Sequence, residues 1–241
     1  MDTREDMVSD GKRTTGTNWA AVAAALPQAA RTERERPFWR ALVAAWGWHR
    51  AVDAGCGSGF HLALLRELGV HAVGFDAAVS ALAVRGAADV AAGDLRTPPL
   101  RAGSFDAALC LGNTISLLPD RGAQREALAA LAGLVRPGGV VLVQGEDAGA
   151  LVRGGALVRT RRIDATTVHV RVFERAGRRV RMLAGVSRNG GEAALEKAWL
   201  LPTSPRTLAR MARGVALAPL ALPAAPPGGA GWWAAFSARS T

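Results

Sequence analysis

The sequence predicts an α/β protein built on a doubly wound, mostly parallel sheet. Between residues 51 and 146, five apolar runs of strand character alternate with amphipathic stretches of helical period. The first run breaks into glycines at alternate positions. The carboxyl ends of the runs gather glycines and polar residues, which is where open α/β sheets bind their ligands.

The elements follow in order. Residues 1 to about 16 are polar and read as loose. A helix is expected over Asn18–Ala30 with Asn18 as N-cap, and a second over Glu35–Trp46, where Phe38, Trp39, Leu42, Val43 and Trp46 recur at helical spacing. These aromatics read as packing residues, with Trp19 or Phe38 a candidate cover for a ligand. The run Ala51-Val52-Asp53-Ala54-Gly55-Cys56-Gly57-Ser58-Gly59 is a buried strand entering a turn, and Phe60–Leu68 is the helix that leaves it. Glycines there permit positive φ and close approach of a ligand to the main chain.

Val70–Asp76 reads as a second strand that ends in an acid, and a helix is expected over Ala78–Gly86. A third strand, Ala88–Leu95, ends at Asp94. A fourth, Phe105–Asn113, ends in Gly112 and Asn113. Arg121–Val135 is an amphipathic helix stopped by Pro137-Gly138-Gly139, and Val140–Glu146 is the fifth strand. Asp76 lies 23 positions beyond Asp53, the spacing at which a βαβ unit places an acid against ribose hydroxyls.

From about residue 155 the period becomes two. Val168, Val170 and Val172 alternate with His169, Arg171 and Phe173, and Val180, Met182, Ala184 and Val186 with Arg179, Arg181 and Leu183, across a turn at Ala176-Gly177. This predicts an antiparallel hairpin with one apolar and one Arg-rich face, with Leu195–Leu200 as an optional third strand. Ser204-Pro205 starts a helix ending near Gly214, Pro219–Gly231 reads as a loop, and Trp232–Ala238 as a terminal strand.

Composition narrows the class. The chain has 241 residues, enough for one large domain, and no apolar run of membrane-spanning length. The acidic, polar start lacks a signal-peptide pattern, so a cytoplasmic location is expected. Cys56 and Cys110 lack metal-ligand spacing and read as buried thiols. The net charge of +10 is uneven: residues 1–150 hold 15 Lys/Arg against 16 Asp/Glu, residues 151–241 hold 15 against 4. Such asymmetry fits either an anionic partner or the compositional habit of an Arg- and Ala-rich chain.

Val52-Asp53-Ala54-Gly55-Cys56-Gly57-Ser58-Gly59 differs from the G-x-G-x-x-G of nicotinamide enzymes. It resembles motif I of the class I S-adenosylmethionine-dependent methyltransferases. The acid closing strand two, Gly93-Asp94-Leu95, Phe105-Asp106 and Leu134-Val135-Arg136-Pro137-Gly138-Gly139 extend that resemblance over most of the chain. It implies a seven-stranded Rossmann-like sheet with helices on both faces and an antiparallel β insertion. The expected organisation is a single domain with N-terminal helices or lid (1–48), a cofactor core (49–150), the insertion (151–201) and a C-terminal helix and strand (202–241). S-adenosyl-L-methionine is the implied cofactor. Asp53, Ala54, Gly55 and Gly57 would take its amino-acid end, Asp76 its ribose, Ala77, Asp94 and Leu95 its adenine, and Leu111 and Gly112 would flank its sulfonium.

Leu111-Gly112-Asn113-Thr114 further resembles small-molecule N-methyltransferases of the glycine/sarcosine type. The absence of tyrosine departs from relatives that use one at the cofactor. Asn113, Glu146 and His61 are the candidate catalytic groups, and Arg153, Arg159, Arg171 and Arg181 are candidates to pair an anionic acceptor. The expected function is methyl transfer to a small amine, hydroxyl or carboxyl compound. An RNA or other nucleic-acid methyltransferase, using the basic C-terminal portion, and a non-catalytic cofactor-binding subunit are the alternatives. No metal is expected.

Overall fold

The computed structural model describes residues 28–78, 89–192, 194–228 and 231–239. The strands are β1 (Arg50–Ala54), β2 (His71–Asp76), β3 (Val90–Ala92), β4 (Phe105–Cys110), β5 (Val135–Glu146), β6 (Leu157–Arg162), β7 (Thr167–Ala176), β8 (Arg179–Arg188), β9 (Ala194–Leu200), β10 (Leu217–Leu220) and β11 (Gly231–Ala238). The helices are α1 (Gln28–Trp46), α2 (Phe60–Glu67), α3 (Arg121–Leu134), α4 (Ala148–Leu151) and α5 (Pro205–Arg213). A seven-stranded sheet runs in the order β10-β11-β5-β4-β1-β2-β3. Its β3, β2, β1, β4 and β5 are parallel neighbours, while β11 runs antiparallel to β5 and β10. The doubly wound α/β class is as the sequence predicts.

Alternation along the strands divides the core in two. Val52, Ala108, Val141 and Val143 point to one face with α3 and α5, through Leu128, Leu131 and Leu208. Ala51, Ala107, Leu109 and Leu142 point to the other, where Trp39 and Leu42 of α1 meet Leu62 and Leu65 of α2. Each such large apolar side chain contributes about 1.5–3 kcal/mol by leaving water. Both layers leave the carboxyl ends of β1, β4 and β5 open along one rim.

Several boundaries differ from expectation for identifiable reasons. The helix expected over Asn18–Ala30, and Trp19 with it, lies mostly outside the described residues. Its last residues instead continue into α1 without a break at Arg31–Arg34, because Arg31 and Glu35 pair one turn apart at 2.8 Å. The helix expected over Ala78–Gly86 also falls largely outside them. Ala78 itself is not helical, and its N–H donates to Asp76 Oδ1 at 2.8 Å. β3 is shorter than expected, leaving Asp94 and Leu95 just beyond it, and β4 stops at Cys110. Pro137-Gly138-Gly139 does not end the helix: α3 stops at Leu134, and β5 starts at once with a register shift against β4. Gly138 takes φ +76° in that irregular stretch. Pro219 and Leu220 are not loop but part of β10.

The late insertion is a four-stranded antiparallel sheet in the order β6-β7-β8-β9, one strand larger than expected at its β6 edge. Its faces also differ. The Gly177-Arg178 turn sets His169 opposite Val186, Arg171 opposite Ala184 and Phe173 opposite Met182. Directly opposed residues share a face. The face that buries Phe173 and Val180 therefore also carries His169 and Arg171, so there is no separate Arg-rich side.

Candidate active site

The glycine turn is held by the neighbouring strand. Gly55 N and Cys56 N both donate to Phe75 O, at 2.8 and 3.1 Å. Gly55 has φ +82°, and a Cβ there would meet Thr114 Cγ2 at 2.4 Å. Gly57 has φ +50° with nothing within 4 Å of a Cβ. One glycine is thus required by the protein's own packing, and the other faces open space. Gly57 N donates to Asp76 Oδ2 at 2.8 Å, so the acid of β2 is tied to the turn of β1.

On the other side of β1, Leu111, Gly112 and Asn113 bridge β4 to a 3₁₀ turn, Thr114–Leu117. Gly112 has φ +64° with open space at its Cβ, and its N–H donates to Gln144 Oε1 at 2.8 Å. Asn113 takes the left-handed conformation, φ 73°, which Asn tolerates. Its Oδ1 accepts from Glu146 N at 2.9 Å and from Ser116 Oγ at 3.3 Å. The amide thus clamps the end of β4 to the end of β5. Glu146 is held between two guanidinium groups of the antiparallel sheet, with Arg159 Nη1 at 3.3 Å and Arg171 Nη1 at 3.4 Å.

Between these parts lies a cavity of about 440 Å³. Its floor is Gly55, Gly57 and Gly112; its far wall is Glu146 with His169, Arg171, Met182 and Ala184. Arg31 and His61 also line it, and they link it to a smaller adjoining cavity of about 170 Å³ under Trp233.

His61 belongs to a buried charged cluster. Its Nδ1 is 3.7 Å from Asp53 Oδ2, and its Nε2 is 3.6 Å from Glu35 Oε2 and 3.1 Å from Arg31 Nη2. Trp39 Nε1 donates to Glu35 at 3.3 Å. Burial works against the charge of Glu35, but His61 and Arg31 outweigh it and hold the carboxyl at about 2. Asp53 is 1% exposed, and neither carboxylate oxygen has a hydrogen-bond partner.

The expected site residues thus fall into groups. Gly55, Gly57, Leu111, Gly112, Asn113, Glu146 and His61 are brought around one cavity. Asp53 and Ala54 lie behind its floor, buried. Asp76 and exposed Ala77 sit beside the turn on the same rim. Asp94 is further off and engaged: Arg96 donates to it through Nε at 3.0 Å and Nη2 at 2.7 Å, while Leu95 packs into the core. Burial together with Asp53 and Asp76 pushes the Cys56 thiol up to about 12, and burial raises Cys110 as well, so both read as inert. Among the described residues no cluster of His, Cys, Asp or Glu is arranged to hold a metal, and no helix is long and apolar enough to cross a membrane.

Comparison with known proteins shows what the rim is similar to. Residues 51–139 match a family model described as a methyltransferase domain. A glycine/sarcosine N-methyltransferase of Parasynechococcus marenigrum is 31% identical over 140 residues, which is 54% of this chain and 49% of that protein. Residues 51–139 are thus similar to a methyltransferase domain, and the whole fold is similar to that of S-adenosylmethionine-dependent methyltransferases. The matched part is about half the length of that curated relative. Two solved structures share the fold: an S-adenosylmethionine-dependent methyltransferase of Clostridium acetobutylicum (TM-score 0.73, 12% identity, 91% of this chain and 95% of that one) and an amino pentose methyltransferase of Micromonospora echinaspora with S-adenosylmethionine bound (TM-score 0.69, 20%, 94% and 98%).

The amino pentose methyltransferase structure holds S-adenosylmethionine, and the residues of the rim described above suit that molecule. Asp53 has two buried oxygens without a hydrogen-bond partner beneath the turn, in keeping with a cationic amine nearby. Gly57 and Gly112 leave open the space that a side chain would fill. Sequence reasoning missed Gln144 and Arg31. Gln144 is the polar residue that breaks the apolar run Val140-Val141-Leu142-Val143, a signal that was present; Arg31 sits in a charged helical stretch that gave none.

Proposed function

We propose that the protein transfers a methyl group from S-adenosylmethionine to a small-molecule amine that carries a negative charge. The observation that supports this reading is the shared cavity, with the glycine turn at one side and the Glu146–Arg159–Arg171 cluster at the other. When bound, the cofactor supplies a methyl group on a cationic sulfur, already activated for in-line displacement. What remains for the chain is to position the acceptor, which is worth up to about 7–11 kcal/mol in well-oriented systems.

The residues take these roles. The main chain at Gly55 and Gly57, with Asp53 behind it, holds the amino-acid end of the cofactor; Asp76 takes the ribose, and Leu111 and Gly112 lie along the sulfur. Glu146 receives the acceptor amine, while Arg171 and Arg159 take its anionic substituent through planar forks. Asn113 is a positioning residue, since its amide fixes the main chain of Glu146. His61 points into a carboxylate cluster and is not a base for the acceptor. Ala77, Asp94 and Leu95 border the adenine end, with Arg96 turning away from Asp94 to free it.

The names of the relatives, a glycine/sarcosine N-methyltransferase and an amino pentose methyltransferase, agree with an amine acceptor. The RNA alternative is less favoured, because cations of the basic portion outside the cavity are used within the fold: Arg181 on Glu174, Arg175 on Gly149 O and Arg179 on Pro119 O. The test is turnover of a labelled methyl donor with a panel of small amines matched in size, with and without a carboxylate or phosphate. Transfer to the anionic amines with a lower KM is expected. Preference for the neutral ones, or for RNA, would overturn the acceptor assignment.

A further inference from the structure

His61 has chemistry that the methyl-transfer reading does not use. It sits where three elements meet and is faced from each by charge: Asp53 from β1, Arg31 and Glu35 from α1 with Arg34 next to them, and Glu146 from β5 across the cavities they share. Trp39 and Phe60 rings flank it, with centroids 5.3 and 5.0 Å from the imidazole, and leave it open toward the cavities. Counting the nearest groups, Asp53 and Glu35 bring two negative charges and Arg31 one positive. The cluster is neutral only if the imidazole carries a proton. A buried cluster with an uncompensated charge is costly, so the proton is favoured.

Bringing a cationic amine beside Asp53 reverses that count. With the amine present the four side chains and that ammonium group sum to zero when His61 is uncharged, and are positive when it is not. Neutral His61 also suits its neighbours, since Nδ1–H then faces Asp53 and Nε2 accepts from Arg31 at 3.1 Å. On the functional reading above, we infer that His61 is the resident counter-ion of Asp53 and gives up its proton to solvent when the amino end of the cofactor docks beside that carboxylate. His61 is thus a positioning residue for the cofactor, and cofactor affinity is linked to pH. Its titration behaviour agrees in direction: burial lowers the imidazole pKa, but Asp53 and Glu35 outweigh burial and raise it above its ordinary value.

The sign of the linkage follows. Where free His61 is protonated, binding expels the proton, so affinity rises with pH by up to about tenfold per unit and levels off above the free pKa. The test is calorimetric titration of the full chain with S-adenosylhomocysteine at pH 6.5, below the usual range of an α-amino group, in buffers of different ionisation enthalpy. Release of close to one proton per site is expected. 5′-Methylthioadenosine, which lacks the amino-acid end, should bind without release, and His61→Asn should bind S-adenosylhomocysteine with none. NMR of the imidazole in the unsubstituted protein reads the same event without a variant: a charged ring in the free protein and a neutral one in the complex. Binding without proton release, or equal release with methylthioadenosine, overturns the inference alone. No binding of S-adenosylhomocysteine at all would remove the functional reading beneath it.

Discussion

Two alanine substitutions two residues apart should fail in opposite ways. At Gly55 the φ of +82° costs a non-glycine residue about 1–2 kcal/mol. Its new Cβ would lie 2.4 Å from Thr114 Cγ2 and 2.8 Å from Thr114 Oγ1. Thr114 cannot yield freely, because its hydroxyl donates to Leu111 O at 2.6 Å and starts the 3₁₀ turn. Overpacking of this kind adds about 1–3 kcal/mol, so Gly55→Ala should lose about 2–5 kcal/mol. Gly57→Ala meets no atom within 4 Å and keeps the N–H that reaches Asp76, so it should lose only about 1–2 kcal/mol, from φ. Its methyl, however, enters the space assigned to the cofactor.

Urea unfolding gives the stabilities, read from the midpoint at unchanged slope. Calorimetry with S-adenosylhomocysteine gives the affinities. Gly57→Ala should bind at least about tenfold more weakly while remaining the more stable variant. Adding Thr114→Ser to Gly55→Ala removes the 2.4 Å contact and should restore about 1 kcal/mol, a coupling that a double-mutant cycle isolates. Wild-type affinity in Gly57→Ala, or wild-type stability in Gly55→Ala, would refute the division of labour assigned to the turn.

Other substitutions test separate parts of the structure. Asp76→Ala should weaken S-adenosylhomocysteine binding by at least about tenfold, or about 1.4 kcal/mol, by calorimetry. An unchanged affinity would remove the ribose assignment. In Asn113→Ala the clamp on Glu146 N is lost, so turnover should fall while cofactor affinity stays within about threefold; equal loss of both would place Asn113 with the cofactor. Far from the rim, Asp106 accepts from His49 N at 2.7 Å, Arg50 N at 2.9 Å and Arg136 Nε at 2.6 Å. Asp106→Ala should therefore cost about 1–3 kcal/mol at pH 7 without affecting cofactor binding. Although burial opposes its charge, Arg136 and those two N–H groups hold the Asp106 carboxyl below its ordinary range. A depressed pKa means that this stability is present above the ordinary carboxylate pKa and fades as pH falls through the folded value. The gap between variant and wild type, followed by thermal melts, should accordingly shrink below about pH 4.

The placement of the glycine turn and the strand ends along one rim was legible because local signals there agree with the tertiary structure. Gly55, Gly57 and Gly112 all adopt positive φ, and Asp53, Asp76 and Asn113 all stand at strand ends. What stayed hidden depends on register and on charge turned inward. Arg159 and Arg161 of β6 face the same way as Leu157, so the strand lacks the apolar alternation that would announce it. The hairpin faces were misassigned because the two-residue Gly177-Arg178 turn, invisible to periodicity, pairs odd positions of β7 with even positions of β8. Glu35 sits in a run of Arg and Glu that reads as a solvated helix face, yet it is 6% exposed because Arg31, His61 and Trp39 hold it there.

The central assignment is that one donor molecule spans the rim from Gly55–Gly57 to Asp76. A crystal structure of the complex with S-adenosylhomocysteine tests it most directly. The account predicts the sugar hydroxyls on Asp76, the amino group nearest Asp53 and the sulfur beside Leu111 and Gly112, facing Glu146. A nucleoside seated instead against the outer face of β6–β9, or a tail directed away from the glycine turn, would contradict it.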